Sequence, residues 1–263
     1  MLTARSLFEE ILSDDGSFQL FCSIAASGES QGGWENGRIA ALLPASYREL
    51  APKVVRHGAD EDKHGRIFHA LLRKRRLQPC PVPPESDYTM LLERRGIGLA
   101  HATLKRDATL SEQDVITYLA HSRVTEQRAS EQMKLLVRYF GEDPTIGRAV
   151  RQISNDEDNH LAYCHEELLR LAGQGHGHAI RRMLRDCALA EVQVHRDVSL
   201  AVMARMGEIL GWSRPKLALL SAGVRAQYAF ERAVGWRRMV SLSMPARLGA
   251  LSSPAPAPSP DFA

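Results

Sequence analysis

Apolar positions along this 263-residue chain recur three and four apart almost without interruption, and strict alternation is nearly absent. That period marks amphipathic helices rather than half-buried strands, so the expected fold class is all-α. A short helix over 1–14 leads. A first long helix spans 17–43, with Phe18, Phe21, Cys22 and Ala25 on its inner line. Gly28, Gly32 and Gly33 weaken it, marking either a break or close approach by a neighbour. A second helix spans 44–76 and turns Leu50, Val54, Phe68 and Leu71 inward. The Pro-rich stretch 77–87 cannot continue a helix. A crossover helix is expected over 88–106, loosened by Gly96 and Gly98. Ser111 reads as the N-cap of a third long helix, 112–140, and Asp143-Pro144 opens a fourth. A loop over 173–178 leads to a fifth helix, 179–210, and Ser213 and Pro215 open a sixth that reaches 240.

On this reading a four-helix bundle, 17–172, carries accessory helices over 179–241, together one helical domain, 17–243. Residues 1–16 are an N-terminal extension. Residues 244–263, rich in Pro, Ala and Ser, hold no core positions and read as a disordered tail.

Charged side chains break the apolar pattern at a few places. Glu29, Glu61, Glu126 and Glu157 each stand on the inner line of a long helix. A carboxylate there is costly unless it is paired or binds a cation. Two of the four lie in echoing stretches, Asp60-Glu61-Asp62-Lys63-His64 and Asp156-Glu157-Asp158-Asn159-His160, 96 positions apart. At the same offset Val54 matches Val150, His69 matches His165 and Leu72 matches Leu168. Glu and His at i and i+3 share a helix face, so each stretch offers a carboxylate and an imidazole to one metal site. Glu29 precedes Glu61 by 32 residues and Glu126 precedes Glu157 by 31. Each interval fits a helix, a turn and an antiparallel return, which brings all four acids to one level. Carboxylates and imidazoles without thiolate suit iron or manganese.

This arrangement resembles the ferritin-like diiron carboxylate proteins, whose bundles take a Glu from each of two helices and Glu-x-x-His from each of the other two. The resemblance covers residues 17–172. It implies Glu29, Glu61, His64, Glu126, Glu157 and His160 as ligands of two iron ions, with manganese or a mixed Mn/Fe pair as alternatives. The Asp before each motif Glu resembles the version in diiron oxygenases and ribonucleotide reductase small subunits. There it accepts a hydrogen bond from a ligand histidine, which implies that Asp60 supports His160 and Asp156 supports His64. Asp62 and Asp158 read as solvated acids. His57, four residues before Glu61, is similar to a third histidine ligand of diiron arylamine N-oxygenases; a satisfied core histidine is the competing reading. Glu191 and His195, on the apolar side of the fifth helix, stay open as extra ligands, a proton relay or a buried pair.

The chemistry so implied is activation of O2 to oxidise a small organic or carrier-bound substrate, with electrons from an external donor. The alternative is metal or peroxide handling, as in a ferroxidase, a peroxidase or a manganese catalase. The helices after 179 favour the first, since they can wall a pocket, although they can equally join two copies as a homodimer. Composition narrows the classes further. At 44% hydrophobic and 25% charged the chain is ordinary for a globular protein. It has no apolar run long enough for a membrane span, and acids near its start do not fit a secretory signal, so a cytoplasmic location is expected. The net charge of +3 does not call for nucleic acid, and Arg73-Lys74-Arg75-Arg76 reads as a helix end. Four scattered cysteines without a C-x-x-C pair fit neither a disulfide framework nor a rubredoxin-type site.

Overall fold

Asp14 ends the leading helix, α1 (Ala4–Ser13), and caps the next, its carboxylate accepting from the Ser17 backbone N–H at 2.8 Å. The computed structural model describes residues 3–242, and the expected tail at 244–263 lies outside them. Helix α2 (Asp15–Leu42) runs unbroken through its glycines. Close approach is the reason: a side chain on Gly33 would collide with Asp62, and one on Gly32 would press on the Glu61 carboxylate. The helix lying against it, α3 (Ala51–Lys74), starts later than expected. Pro44 leads into a single tight turn at Ala45–Tyr47, and Pro52 then sits in the first turn of α3, where its missing N–H costs nothing.

The expected crossover helix is two short pieces, α4 (Tyr88–Arg94) and α5 (His101–Leu104). Gly96 and Gly98, at φ +72° and +81°, turn the backbone left-handed between them and end the helix. Ser111 caps α6 (Glu112–Phe140) in a capping box with Asp114. The Asp143 carboxylate accepts from the Thr145 and Ile146 N–H groups, capping a turn that runs into α7 (Gly147–Leu171). The expected loop at 173–178 is a wide helical turn, Ala172–His176, redirected at Gly175 (φ +104°) into α8 (Gly177–Ile209). The sixth long helix is shorter than expected. Ser213 caps α9 (Arg214–Phe230), a second wide turn spans Glu231–Gly235, and α10 (Arg237–Val240) follows. Among the described residues there is no strand.

Helix directions follow from contacts between distant residues. The Leu110 N–H donates to the Leu42 carbonyl and Tyr118 Oη to Asn36 Oδ1, so α6 runs antiparallel to α2. Lys53 pairs with Glu167, and His64 meets Asp156, so α7 runs antiparallel to α3. Since α2 and α3 are themselves antiparallel, α3 and α6 point the same way. The chain between them must travel back the length of a 24-residue helix, about 36 Å. A four-helix bundle with one long crossover results, a connectivity compatible with the family resemblance. Helix α8 packs on α6, and α9 packs on α8. No residue of α9 is buried, and Leu217, Leu220 and Val224 are half-covered rather than core.

Two apolar clusters fill the bundle. One holds Leu50, Val54, Leu119 and Leu168; the other holds Phe18, Ala26, Phe68, Leu136 and Ile153. The four inward glutamates stand between them, as a polar layer inside an otherwise apolar interior.

Candidate metal centre

Each bundle helix sends one carboxylate into this layer, and α3 and α7 add imidazoles. Ligand atoms of His57, Glu61, Glu126 and His160 lie within 4.8 Å of one another, as do those of Glu29, Glu61, His64 and Glu157. Glu61 belongs to both groups, so two metal ions held here would share it. All seven residues are buried except Glu29, whose side chain is 17% exposed. Each group can hold a metal ion.

The imidazole atoms aim into the layer. His57 Nε2 lies 3.0 Å from Glu61 Oε1 and 3.4 Å from Glu126 Oε1. His160 Nδ1 lies 3.5 Å from Glu61 Oε1 and 3.5 Å from Glu126 Oε2. His64 Nδ1 lies 3.2 Å from Glu29 Oε2 and 3.5 Å from Glu157 Oε1. His160 Nδ1 and Glu126 Oε2 are buried without a hydrogen-bond partner. Orphaned atoms of that kind are rare in native interiors, and a cation between them satisfies both. The donor set therefore fits a pair of first-row metal ions.

Behind each imidazole stands a second partner. Asp156 Oδ2 is 3.1 Å from His64 Nε2, and Asp60 Oδ2 is 3.5 Å from His160 Nε2, the crosswise pairing implied by the resemblance. Lys63 pairs with both aspartates. It was not singled out in the sequence, although it stands where the two motifs differ, opposite Asn159. His57, ligand or core residue on spacing alone, stands in a donor group with Glu61, Glu126 and His160. Its Nδ1 lies 2.7 Å from Tyr163 Oη, which meets Tyr118 Oη at 2.7 Å, which donates to Asn36 Oδ1 at 2.7 Å. With Nε2 given to a metal, Nδ1–H must donate to Tyr163, and the direction of the whole chain follows. Tyr163, Tyr118 and Asn36 carry no sequence signal beyond Tyr163 standing one turn after His160. Asp62 and Asp158 are exposed, and Asp158 pairs with Lys134 and accepts from the Ser130 hydroxyl.

The side chains alone divide the charge unevenly. Burial, then the neighbouring Glu126, raises Glu157 well above the usual carboxylate range, and burial with Glu61 does the same to Glu29. Burial opposes ionisation of Glu126 and Glu61 too, but His57 outweighs it and holds both low. Burial disfavours the His57 cation, yet Glu126 and Glu61 lift it to about 10. Burial lowers His64. Asp60 stays low despite partial burial, because Lys63 and His160 favour its charge.

Glu191 and His195 do not join the layer. Arg128 takes both Glu191 oxygens, at 2.8 and 2.9 Å, and Tyr88 Oη donates to Oε1. Arg128 also binds Glu231 at 2.6 Å, so Glu191 is one arm of a buried ion-pair network joining α6, α8 and the turn after α9. His195 Nε2 instead meets Gln132 at 3.1 Å. A charge partner from another helix is invisible to periodicity. Phe21 and Ala25 pack with the second apolar cluster, and Ser122 and Cys164 are buried. The apolar void lined by Phe21, Phe68, Met133 and Ile153 measures about 10 Å³, room for a single water. No helix among the described residues is long and apolar enough to cross a membrane. Compared with known proteins, the chain matches no family model, no curated protein and no solved structure.

Proposed function

We propose that the protein is a non-haem dinuclear iron oxidoreductase, an oxygenase or oxidase that activates O2 to oxidise an organic substrate. One observation carries the reading: two buried donor groups that share Glu61 and together hold three imidazoles. Three imidazoles among the donors, each held from behind by a second partner, favour a resident metal, whereas iron storage and ferroxidase turnover need metal to pass through. When bound, the metal pair supplies electrons to O2 and regains them from the substrate or an external donor.

The protein groups orient and insulate. Asp156 and Asp60 accept from the Nε2–H of His64 and His160, which leaves each Nδ1 lone pair facing the layer. Tyr163 accepts from His57 Nδ1–H and frees Nε2 in the same way. Lys63 fixes both aspartates at once. The apolar clusters on either side exclude water, and Glu29 marks the more open edge of the layer.

The test begins with anaerobic loading of the purified chain with Fe(II), which should bind about two ions, as a bundle site of this donor set does. Mixing with O2 should then consume O2 once and stop until reductant is added. Continued oxidation of excess Fe(II) with mineral growth would instead establish metal handling. O2 release from hydrogen peroxide by the Mn(II) form would establish a catalase. No metal uptake would refute the reading outright.

A further inference from the structure

The two metal positions differ in the donors around them. One is ringed by His57, His160, Glu61 and Glu126, two imidazoles and two carboxylates; the other by Glu29, Glu61, His64 and Glu157, one imidazole and three carboxylates. We propose that the positions select different metals: the His57 side takes iron and the Glu29 side takes manganese when both are offered. This rests on the dinuclear reading above and assigns each ion its place.

Three features on the His57 side support it. The rings of His57 and His160 stack at 3.9 Å between centroids, 28° from parallel, and His57 Nε2 and His160 Nδ1 lie 3.0 and 3.5 Å from the same Glu61 Oε1. Each ring is held from behind, His57 by Tyr163 and His160 by Asp60. The orphaned His160 Nδ1 and Glu126 Oε2 both belong to this group. On the other side His64 is the lone nitrogen donor, and Glu29 is the most exposed ligand, its side chain 17% accessible against 11% for Glu61. Iron(II) gains more from imidazole than manganese(II) does, while carboxylate oxygen suits manganese. With one equivalent of each metal per chain, the general preference for iron cancels, because both positions fill. Their distribution then reads only the difference between the two donor sets.

The experiment loads the full chain anaerobically with one equivalent each of Fe(II) and Mn(II). Total metal is counted by elemental analysis, and each position is read by anomalous diffraction at the iron and manganese edges. About a tenfold excess of iron at the His57 position, and of manganese at the Glu29 position, is expected from the extra imidazole. His57→Gln should erase the preference. Tyr163→Phe, which keeps the imidazole and removes only the partner behind it, should weaken it and guards against a misfolded His57 variant. The same mixture at both positions, the reverse order, or a preference that survives loss of the His57 imidazole in a folded variant overturns the assignment while leaving a dinuclear centre. Failure to bind either metal overturns the proposed function as well.

Discussion

Glu157→Gln should make the metal-free protein more stable and the metal-loaded protein less so. Glu157 shares a buried group with Glu29 and Glu61, its ligand atom within 4.8 Å of theirs. At that distance and an effective dielectric near 20, two unit charges repel by roughly 3 kcal/mol. Burial, then Glu126, then repulsion from Glu61 and Glu29 raise the Glu157 pKa well above 4.5. A group raised on folding contributes fully below its unfolded value, and its contribution is lost as pH rises toward the folded value. At pH 7 the wild type therefore either holds a proton that the unfolded chain has released or bears the repulsion. Glutamine keeps the shape and removes that cost, so up to about 3 kcal/mol returns, or about 6–12 °C in Tm for a chain of this size. The gain should shrink as pH falls to 4.5. Metal reverses the order: at a thousandfold excess over Kd a bound ion adds about 4 kcal/mol to the wild type and much less to a variant lacking one ligand. Thermal melts followed by circular dichroism, in chelator and in Mn(II), measure both halves. A Glu157→Gln protein that melts below wild type in chelator at pH 7, or that gains as much as wild type from metal, refutes the reasoning.

Three further outcomes are expected. Asp156→Asn removes the anionic acceptor behind His64 and should weaken metal binding by about 10- to 100-fold without loss of fold; unchanged affinity would mean that Asp156 serves only Lys63. Thiol labelling of the native protein should reach Cys80, which is part-exposed, and spare Cys22 and Cys187, which burial pushes up to about 12, and Cys164, raised by burial further still; mass spectrometry of the adducts decides. Glu231 is depressed to about 2, its own burial outweighed by Arg128, so its contribution is intact above about 4.5 and lost as pH falls toward 2. Glu231→Gln should flatten the acid limb of a stability–pH curve, and an unchanged slope would show that the Arg128 network does not hold the accessory helices.

The bundle was legible because its helices are long and their apolar lines regular. Inward acids on four such lines can only meet at one level, and they do. What escaped was set by single residues or by neighbours from elsewhere in the chain. Gly96 and Gly98 were seen as loosening a helix, but only their left-handed backbone shows that they end it. Gly33 was left between break and close approach, and the choice needed Gly58 and Asp62 across the interface. Helical spacing puts His57, Glu61 and His64 on one face whether His57 is a ligand or a packed core residue. Tyr163, arriving from α7, turns the ring so that Nε2 faces the acids. For Glu191 the same kind of neighbour acts the other way: Arg128 claims both oxygens and removes it from the donor list.

Charge accounting ties the layer to a metal pair more firmly than spacing does. The two donor groups together hold four carboxylates and three imidazoles. Apolar clusters close both faces, so any net charge is expensive. Without cations, burial and repulsion push Glu29 and Glu157 toward the protonated form, and the neighbouring glutamates favour an imidazolium at His57. Two divalent ions bring four positive charges to four carboxylates and need all three imidazoles neutral. The donor set itself is then neutral with every donor engaged, and in forming it sheds the His57 proton and those that burial favours on Glu29 and Glu157. Metal uptake in a weakly buffered solution at pH 7 should therefore acidify it by at least the one proton that His57 gives up, a release that solvated acids on a bundle surface, already ionised at that pH, cannot produce.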